Sequence, residues 1–131
     1  MAQRIVLLKV RRAPGENVNQ ELQWLGNSLG LFNLRDRDSS CFRIFITLVR
    51  NSKKDAALSS DEIAEKLRLS RGTVVHHLQK LMDAGIVLRE HERYLLRDSR
   101  MENLVNNLHS DLESIFIEMK TVAKEIDEQL G

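Results

Sequence analysis

Apolar residues recur at helical spacing twice between residues 58 and 84, and a capping residue precedes each series. Ser59 can cap the first helix while Glu62, three residues later, bonds back to it, which is a capping box. Ser70 can cap the second helix in the same way. The buried face of that second helix is predicted to consist of Val74, Leu78 and Leu81. Two short capped helices joined by a tight connection predict a helix-turn-helix.

The residues after the second helix predict a β-hairpin. Gly85 ends the helix where a left-handed residue is needed. Two apolar runs, Ile86–Arg89 and Tyr94–Arg97, then have strand character, and residues 90–93 form the turn between them. A helix-turn-helix followed by a hairpin is a winged helix. The predicted fold class is therefore mainly α with a small β-hairpin wing (α+β).

Three further elements are predicted upstream of the helix-turn-helix. A strongly apolar helix begins at Asp38 or Ser39 and runs to about Val49. Another helix spans Asn17–Leu29, with Asn17 as its cap and Gly30 as its terminating glycine. The run Arg4–Val10 has strand character and is interpreted either as an edge strand or as an arm exchanged between subunits.

From Ser99 to Leu130 the sequence contains no glycine or proline, which predicts one long helix. Its apolar residues follow about four heptads, and the predicted dimerisation positions are Met101, Val105, Leu108, Leu112, Ile115, Met119, Val122 and Ile126. Self-pairing into a homodimer is the favoured interpretation, and a helix from another protein is the alternative. The chain is thus predicted to consist of an N-terminal strand-and-helix extension (1–37), a winged helix (38–98) and a C-terminal coiled-coil helix (99–131).

Charge is unevenly distributed although the net charge is only +1. Residues 66–100 carry eight Lys/Arg against four Asp/Glu, whereas residues 101–131 carry two against seven. A polyanion is therefore expected to meet the middle of the chain and avoid its end. No apolar run is long enough for a membrane span, and no signal-peptide cleavage site is apparent. A single cysteine fits a reducing compartment, so we expect a cytoplasmic protein.

The outward side of the second helix carries the candidate DNA contacts. Hydroxyl, amide and cationic groups can bond base edges and phosphates, and a valine can contact a thymine methyl group. With residues 70–82 as the recognition helix in a major groove, the predicted contacts are Ser70, Arg71, Gly72, Thr73, Val75, His76, Gln79 and Lys80, together with Arg89 and Arg93 of the wing. His77 is expected to be half-buried.

The segment LSSDEIAEKLRLSRGTVVHHLQKLMDAGIVLREHERYLLRD resembles prokaryotic winged helix-turn-helix regulators of the ArsR type and is similar in overall appearance to archaeal members. The resemblance extends from Asp38 to about Asp98. It rests on Ser70, Thr73, Val74, His76, His77, Leu78, Leu81, Ala84, Gly85, Ile86 and Val87. It implies a transcriptional regulator that binds double-stranded DNA.

Metal sensing is disfavoured, and no cofactor is expected. The metal sensors of that family carry a C-x-C pair in the first helix of the motif, where this chain reads SSDEIAEKL. A second metal site of that family uses acidic and histidine ligands. Residues of these types occur here at His109, Asp111 and Glu113, but they do not lie on one helical face. His76 and His77 point about 100° apart on a helix and cannot easily hold one ion. Cys41 is interpreted as a buried structural thiol rather than a redox sensor.

Two functional hypotheses remain. The first is a homodimeric, sequence-specific regulator that binds double-stranded DNA. The second is a winged-helix protein–protein interaction module in a transcription or chromosome-organising complex. An enzyme is not expected, because no nucleophile–base pair or phosphate-binding loop is found in the sequence.

Overall fold

A computed structural model of the protein describes residues 2–12, 15–33, 38–54 and 56–131. The chain forms two compact units, Met1–Ser99 and Arg100–Gly131. The N-terminal extension belongs to the same unit as the winged helix. The proposed domain boundary at residue 37 lies outside the described residues.

The first unit is built around helix α2, Ser40–Ser52. Its side chains Ile44, Phe45 and Leu48 are buried in the core. The helix packs against α3 (Ser60–Leu67) and α4 (Arg71–Asp83). It is one turn longer than predicted, and its cap is Ser39 in a left-handed conformation that makes no side-chain capping hydrogen bond.

The two capped helices are confirmed. The amide of Glu62 donates to the hydroxyl oxygen of Ser59 at 3.1 Å, and the amide of Ser59 donates to the carboxylate of Glu62 at 3.4 Å. The amide of Thr73 donates to the hydroxyl oxygen of Ser70 at 3.1 Å. Between the helices, Arg68 has a φ of 56° and turns the chain. These caps satisfy backbone donors that the first turn of a helix leaves without partners.

The wing is a three-stranded antiparallel sheet in the order β1-β3-β2. Its strands are β1 (Leu58–Ser59), β2 (Val87–Glu90) and β3 (Arg93–Leu96). The two predicted strands are each displaced by one residue because the turn holds only two residues, His91 and Glu92, with φ of 50° and 65°. Two successive positive φ values correspond to a type I′ turn, which matches the twist of a hairpin. The pairing of β1 with β3 was not predicted.

The prediction of an edge strand at Arg4–Val10 is wrong, because the described residues 2–12 contain no β-strand, whereas an arm exchanged between subunits stays a prediction. Instead, the amide of Leu8 donates to the carbonyl of Ser28, and the amide of Arg4 donates to the carbonyl of Asp83, both at 2.8 Å. Ser28 and Asp83 are the last residues of two helices, whose terminal carbonyls have no partner within the helix. The extended chain therefore bonds to helix ends and not to a strand edge. We call residues 2–12 the arm.

Two glycines allow close packing around helix α1 (Val18–Ser28): Gly26 within the helix packs on α2, and Gly30 just after it packs on the arm. A Cβ atom on Gly26 would lie 2.5 Å from the ring of Phe42. Gly30 has a φ of +70°, as predicted for a terminating glycine, and a Cβ atom there would lie 2.6 Å from Val6. Both positions therefore need glycine for close packing, and Gly30 also needs it for its backbone conformation.

The second unit is the single helix α5, Met101–Leu130. Leu104 and Leu108 near its start are buried. Of the predicted dimerisation positions, Leu108 is buried; Met101, Leu112 and Ile115 are half-buried; Val105, Met119, Val122 and Ile126 are exposed. Phe116 and Ile117 are also exposed. Within the described residues, no helix is long and apolar enough to cross a membrane.

Candidate nucleic-acid interface

Helix α4 presents a polar side opposite its buried side. Its core residues Val74, Leu78 and Leu81 are fully buried. At about 100° per residue, Gly72, His76 and Gln79 lie on the opposite side, and all three are exposed. The imidazole of His76 contacts the ring of His77, which is half-buried as predicted. The exposed side can meet another molecule without disturbing the core.

The N-terminal end of α4 is also accessible. Ser70, Arg71 and Val75 are exposed, and Val75 retains 42% of its surface. The guanidinium of Arg71 lies 3.5 Å from the carboxylate of Asp61, and both side chains are more than 70% exposed. An ion pair so exposed contributes about 0–1 kcal/mol, so Arg71 can exchange Asp61 for a phosphate at little cost.

Two predicted DNA contacts lie on one flank of α4 and are half-buried. The hydroxyl of Thr73 accepts a hydrogen bond from Ser70 at 2.8 Å. The ammonium group of Lys80 donates to the carbonyl of Gly30 at 3.3 Å. Gln79 on the exposed side is also engaged, because its amide donates to the carboxylate of Asp83 at 2.8 Å. The structure therefore places Thr73 and Lys80 on a half-buried flank, whereas Gln79 is exposed although its amide is engaged.

The flank that carries Thr73 and Lys80 borders a groove of about 1100 Å³. The groove is also lined by residues of the arm, by the residues after α1 and by the start of α2. The lining includes Arg4, Asp38, Cys41, His77, Lys80 and Asp83. Sequence reasoning did not identify Arg4, Asp38 or Asp83 as part of this surface. The only signal for Arg4 was that the arm contains four Lys/Arg and no Asp/Glu.

The two wing arginines have different surroundings. The guanidinium of Arg89 lies 5.8 Å from the ring centre of Tyr94, and Arg89 is exposed. The guanidinium of Arg93 instead donates to the carboxylate of Glu62 at 2.8 Å and to the carbonyl of Ala57 at 3.1 Å. Arg93 therefore connects the wing to the cap of α3.

The carboxyl group of Glu62 has a pKa below its ordinary value. The main cause is the hydrogen bond from the backbone amide of Ser59, followed by the hydrogen bond with the Ser59 hydroxyl. The charge of Arg93 lowers the pKa further, and partial desolvation opposes the shift. The capping box and the wing contact thus both favour the ionised carboxylate.

Electrostatics favour an anionic partner for the first unit. Residues 1–99 carry 17 Lys/Arg against 12 Asp/Glu, whereas residues 100–131 carry three against seven. Among the described residues, no group of three or more His, Cys, Asp or Glu side chains could hold a metal ion. Cys41 is buried on α2, as expected for a structural thiol.

The fold and the accessible polar helix define a winged helix-turn-helix protein of the DNA-binding class. Residues 53–88 match the family model described as "Bacterial regulatory protein, arsR family". The match covers the helix-turn-helix and the start of β2, about a quarter of the chain. No curated protein and no solved structure matches the chain significantly. The protein therefore carries an ArsR-like helix-turn-helix and is a DNA-binding transcriptional regulator of prokaryotic type, while an archaeal origin stays a prediction.

Proposed function

We propose that the protein is a homodimeric regulator that binds specific double-stranded DNA sequences with α4 in the major groove. The observation that carries the proposal is the accessible polar side of α4, which lies opposite a fully buried core side. Such a helix can enter a major groove, about 12 Å wide, without loss of core packing.

Within this proposal the residues have different roles. Arg71, His76 and Gln79 face the base edges, because their side chains offer hydrogen-bond donors and acceptors on the accessible side. Val75 is suited to a thymine methyl group. The start of the helix approaches the sugar-phosphate backbone of the DNA closely, at Ser70, Gly72 and Thr73. Lys80 and Arg89 are proposed to contact phosphates. Arg93 was predicted to do the same, but because it already donates to Glu62 and Ala57 we propose a structural role for it instead.

Dimerisation is proposed through α5. Four predicted heptad positions, Val105, Met119, Val122 and Ile126, are exposed. Their spacing is that of a coiled-coil seam, and a second copy of the chain presents the same complementary seam. The seven carboxylates and three cations of residues 100–131 give the helix a net negative charge, which suits a protein partner and disfavours contact with DNA. A twofold dimer predicts a pseudo-palindromic site with half-sites about 10 bp apart or a multiple of that distance.

DNA binding is tested by titrating a random-sequence duplex with the full-length protein across a salt series. Wild type should bind at low salt, with affinity that falls steeply as salt rises. The double variant Arg71→Ala, His76→Ala should bind much more weakly. A matched control is Lys66→Ala, which removes an exposed cation from α3. If the wild-type protein fails to bind at low salt, DNA binding as proposed is refuted. If the double variant binds like the control, the assignment of α4 is refuted.

The same measurement separates DNA binding from the second hypothesis of a protein-interaction module. Such a module has no requirement for a salt-dependent affinity for duplex DNA. Selection of bound duplexes from a random pool then tests sequence specificity. Enrichment of a pseudo-palindrome supports the proposal, and an unenriched pool contradicts it.

A further inference from the structure

The arm is held beside the recognition helix by its backbone. The amide of Arg4 donates to the carbonyl of Asp83, the last residue of α4, and the side-chain amide of Gln3 donates to the carbonyl of Ala84 at 3.2 Å. Farther along the arm, the amide of Leu8 donates a hydrogen bond to the carbonyl of Ser28, and the side chain of Val6 packs directly on Gly30. The arm is thus anchored at both ends by contacts that do not require the side chain of Arg4.

The cations of the arm are not equivalent. The guanidinium of Arg12 lies 3.4 Å from the carboxylate of Glu21 and 5.9 Å from the ring centre of Trp24, so it already has partners on α1. Lys9 and Arg11 are exposed but do not line the groove. Arg4 is exposed and lines the groove, and its guanidinium has no recorded partner among the described residues.

The groove places this guanidinium on the surface that carries the DNA contacts. Arg4 lines it together with His76, Gln79 and Lys80 of α4. Two carboxylates, Asp38 and Asp83, also line it, and that of Asp83 accepts a hydrogen bond from Gln79. A DNA strand whose bases meet His76 and Gln79 has its phosphates on the flanks of the helix, where the cations lie.

We propose that Arg4 binds a backbone phosphate at the C-terminal end of α4, so that the arm extends the DNA interface beyond the winged helix. This inference rests on the proposed DNA-binding function. Arginine suits the role because its planar guanidinium can donate two parallel hydrogen bonds to one phosphate. The backbone anchor at Asp83 keeps the side chain close to its target, so that less conformational freedom is lost on binding.

The test is the salt dependence of binding to a random duplex, measured with full-length Arg4→Ala and Arg11→Ala. Each phosphate contact contributes about 0.9 to the slope of log affinity against log salt. The slope for Arg4→Ala should be shallower than that of the wild type by about 0.9 per bound protomer. The slope for Arg11→Ala should remain near the wild-type value, because this side chain belongs to the same arm but lies outside the groove.

A third variant, Arg4→Lys, separates loss of charge from loss of structure. It retains a cation and should recover most of the slope, while the backbone bond to Asp83 remains in all three variants. Equal slopes for Arg4→Ala and Arg11→Ala would overturn the inference and leave the proposed function standing if Arg71→Ala, His76→Ala still weakens binding. Absence of wild-type binding at low salt would refute the proposed function and this inference together.

Discussion

The guanidinium of Arg93 on β3 lies 2.8 Å from the carboxylate of Glu62, which is the reciprocal partner in the capping box of α3. The carboxylate of Glu62 therefore accepts one hydrogen bond from the backbone amide of Ser59 and another from the guanidinium of Arg93. A DNA phosphate near Arg93 would have to compete with both Glu62 and the carbonyl of Ala57 for the same guanidinium. This geometry leads to different predictions for the two arginines of the wing.

Replacement of Arg93 by alanine should affect stability more than DNA binding. Because both side chains of the ion pair are about half exposed, solvent screens their attraction and the expected loss of stability is small. Urea unfolding monitored by circular dichroism measures the loss. The slope of log affinity against log salt should stay unchanged for Arg93→Ala. For Arg89→Ala it should become shallower by about 0.9 per bound protomer. A shallower slope for Arg93→Ala would show that this side chain leaves Glu62 to bind a phosphate.

The stability contributed by Glu62 should depend on pH. Because the pKa of its carboxyl group is lowered in the native state, the contribution is fully present above the unfolded-state pKa of about 4.3. It is lost as the pH falls through the lower native pKa. The difference in unfolding free energy between wild type and Glu62→Gln should therefore be largest near neutral pH and decrease below about pH 4.

Urea unfolding at a series of pH values tests this prediction. Glu65→Gln provides the control, because it removes a carboxylate from the same helix but not from the capping box. A difference between wild type and Glu62→Gln that is constant with pH would contradict the proposed linkage.

Replacement of Gly26 by alanine should destabilise the protein by about 1–3 kcal/mol, because the added methyl group would meet the ring of Phe42. Gly72→Ala is the matched control. It lies in the first turn of α4, and apart from its chain neighbours and the backbone of its own helix nothing lies within 4 Å of the position of an added Cβ atom. Alanine also has a higher helix propensity than glycine, so Gly72→Ala should be neutral or slightly stabilising. Thermal unfolding of both variants measures the contrast, and equal midpoints would disprove close packing of α1 on α2.

Charge placed in the seam of α5 should dissociate the proposed dimer. In Ile126→Glu, like charges would face each other across the twofold axis. Light scattering should give twice the chain mass for wild type and the chain mass of 15.1 kDa for the variant at low concentration. Lys124→Glu lies on the opposite side of the heptad and should leave the mass unchanged. A wild-type protein that scatters as a monomer would refute the dimer.

Sequence alone predicted the features that arise from neighbouring residues. The caps at Ser59 and Ser70, the glycine after α4 and the long helix α5 depend on interactions within about four residues, and the structure confirms them. Helical periodicity likewise predicted the buried side of α4, because one side of a short helix must face the core.

The tertiary structure decided the features that depend on distant partners. The arm became an extended segment bound to helix ends because its hydrogen-bond acceptor Asp83 is 79 residues from Arg4, and no local pattern encodes that pairing. Arg93 contacts Glu62 because folding brings the two side chains together, although they are 31 residues apart in the sequence. The ammonium group of Lys80 donates to the carbonyl of Gly30, which is 50 residues away in the sequence. Local caps and periodicity thus determined the helix-turn-helix, whereas long-range packing determined which cations remain available to a partner.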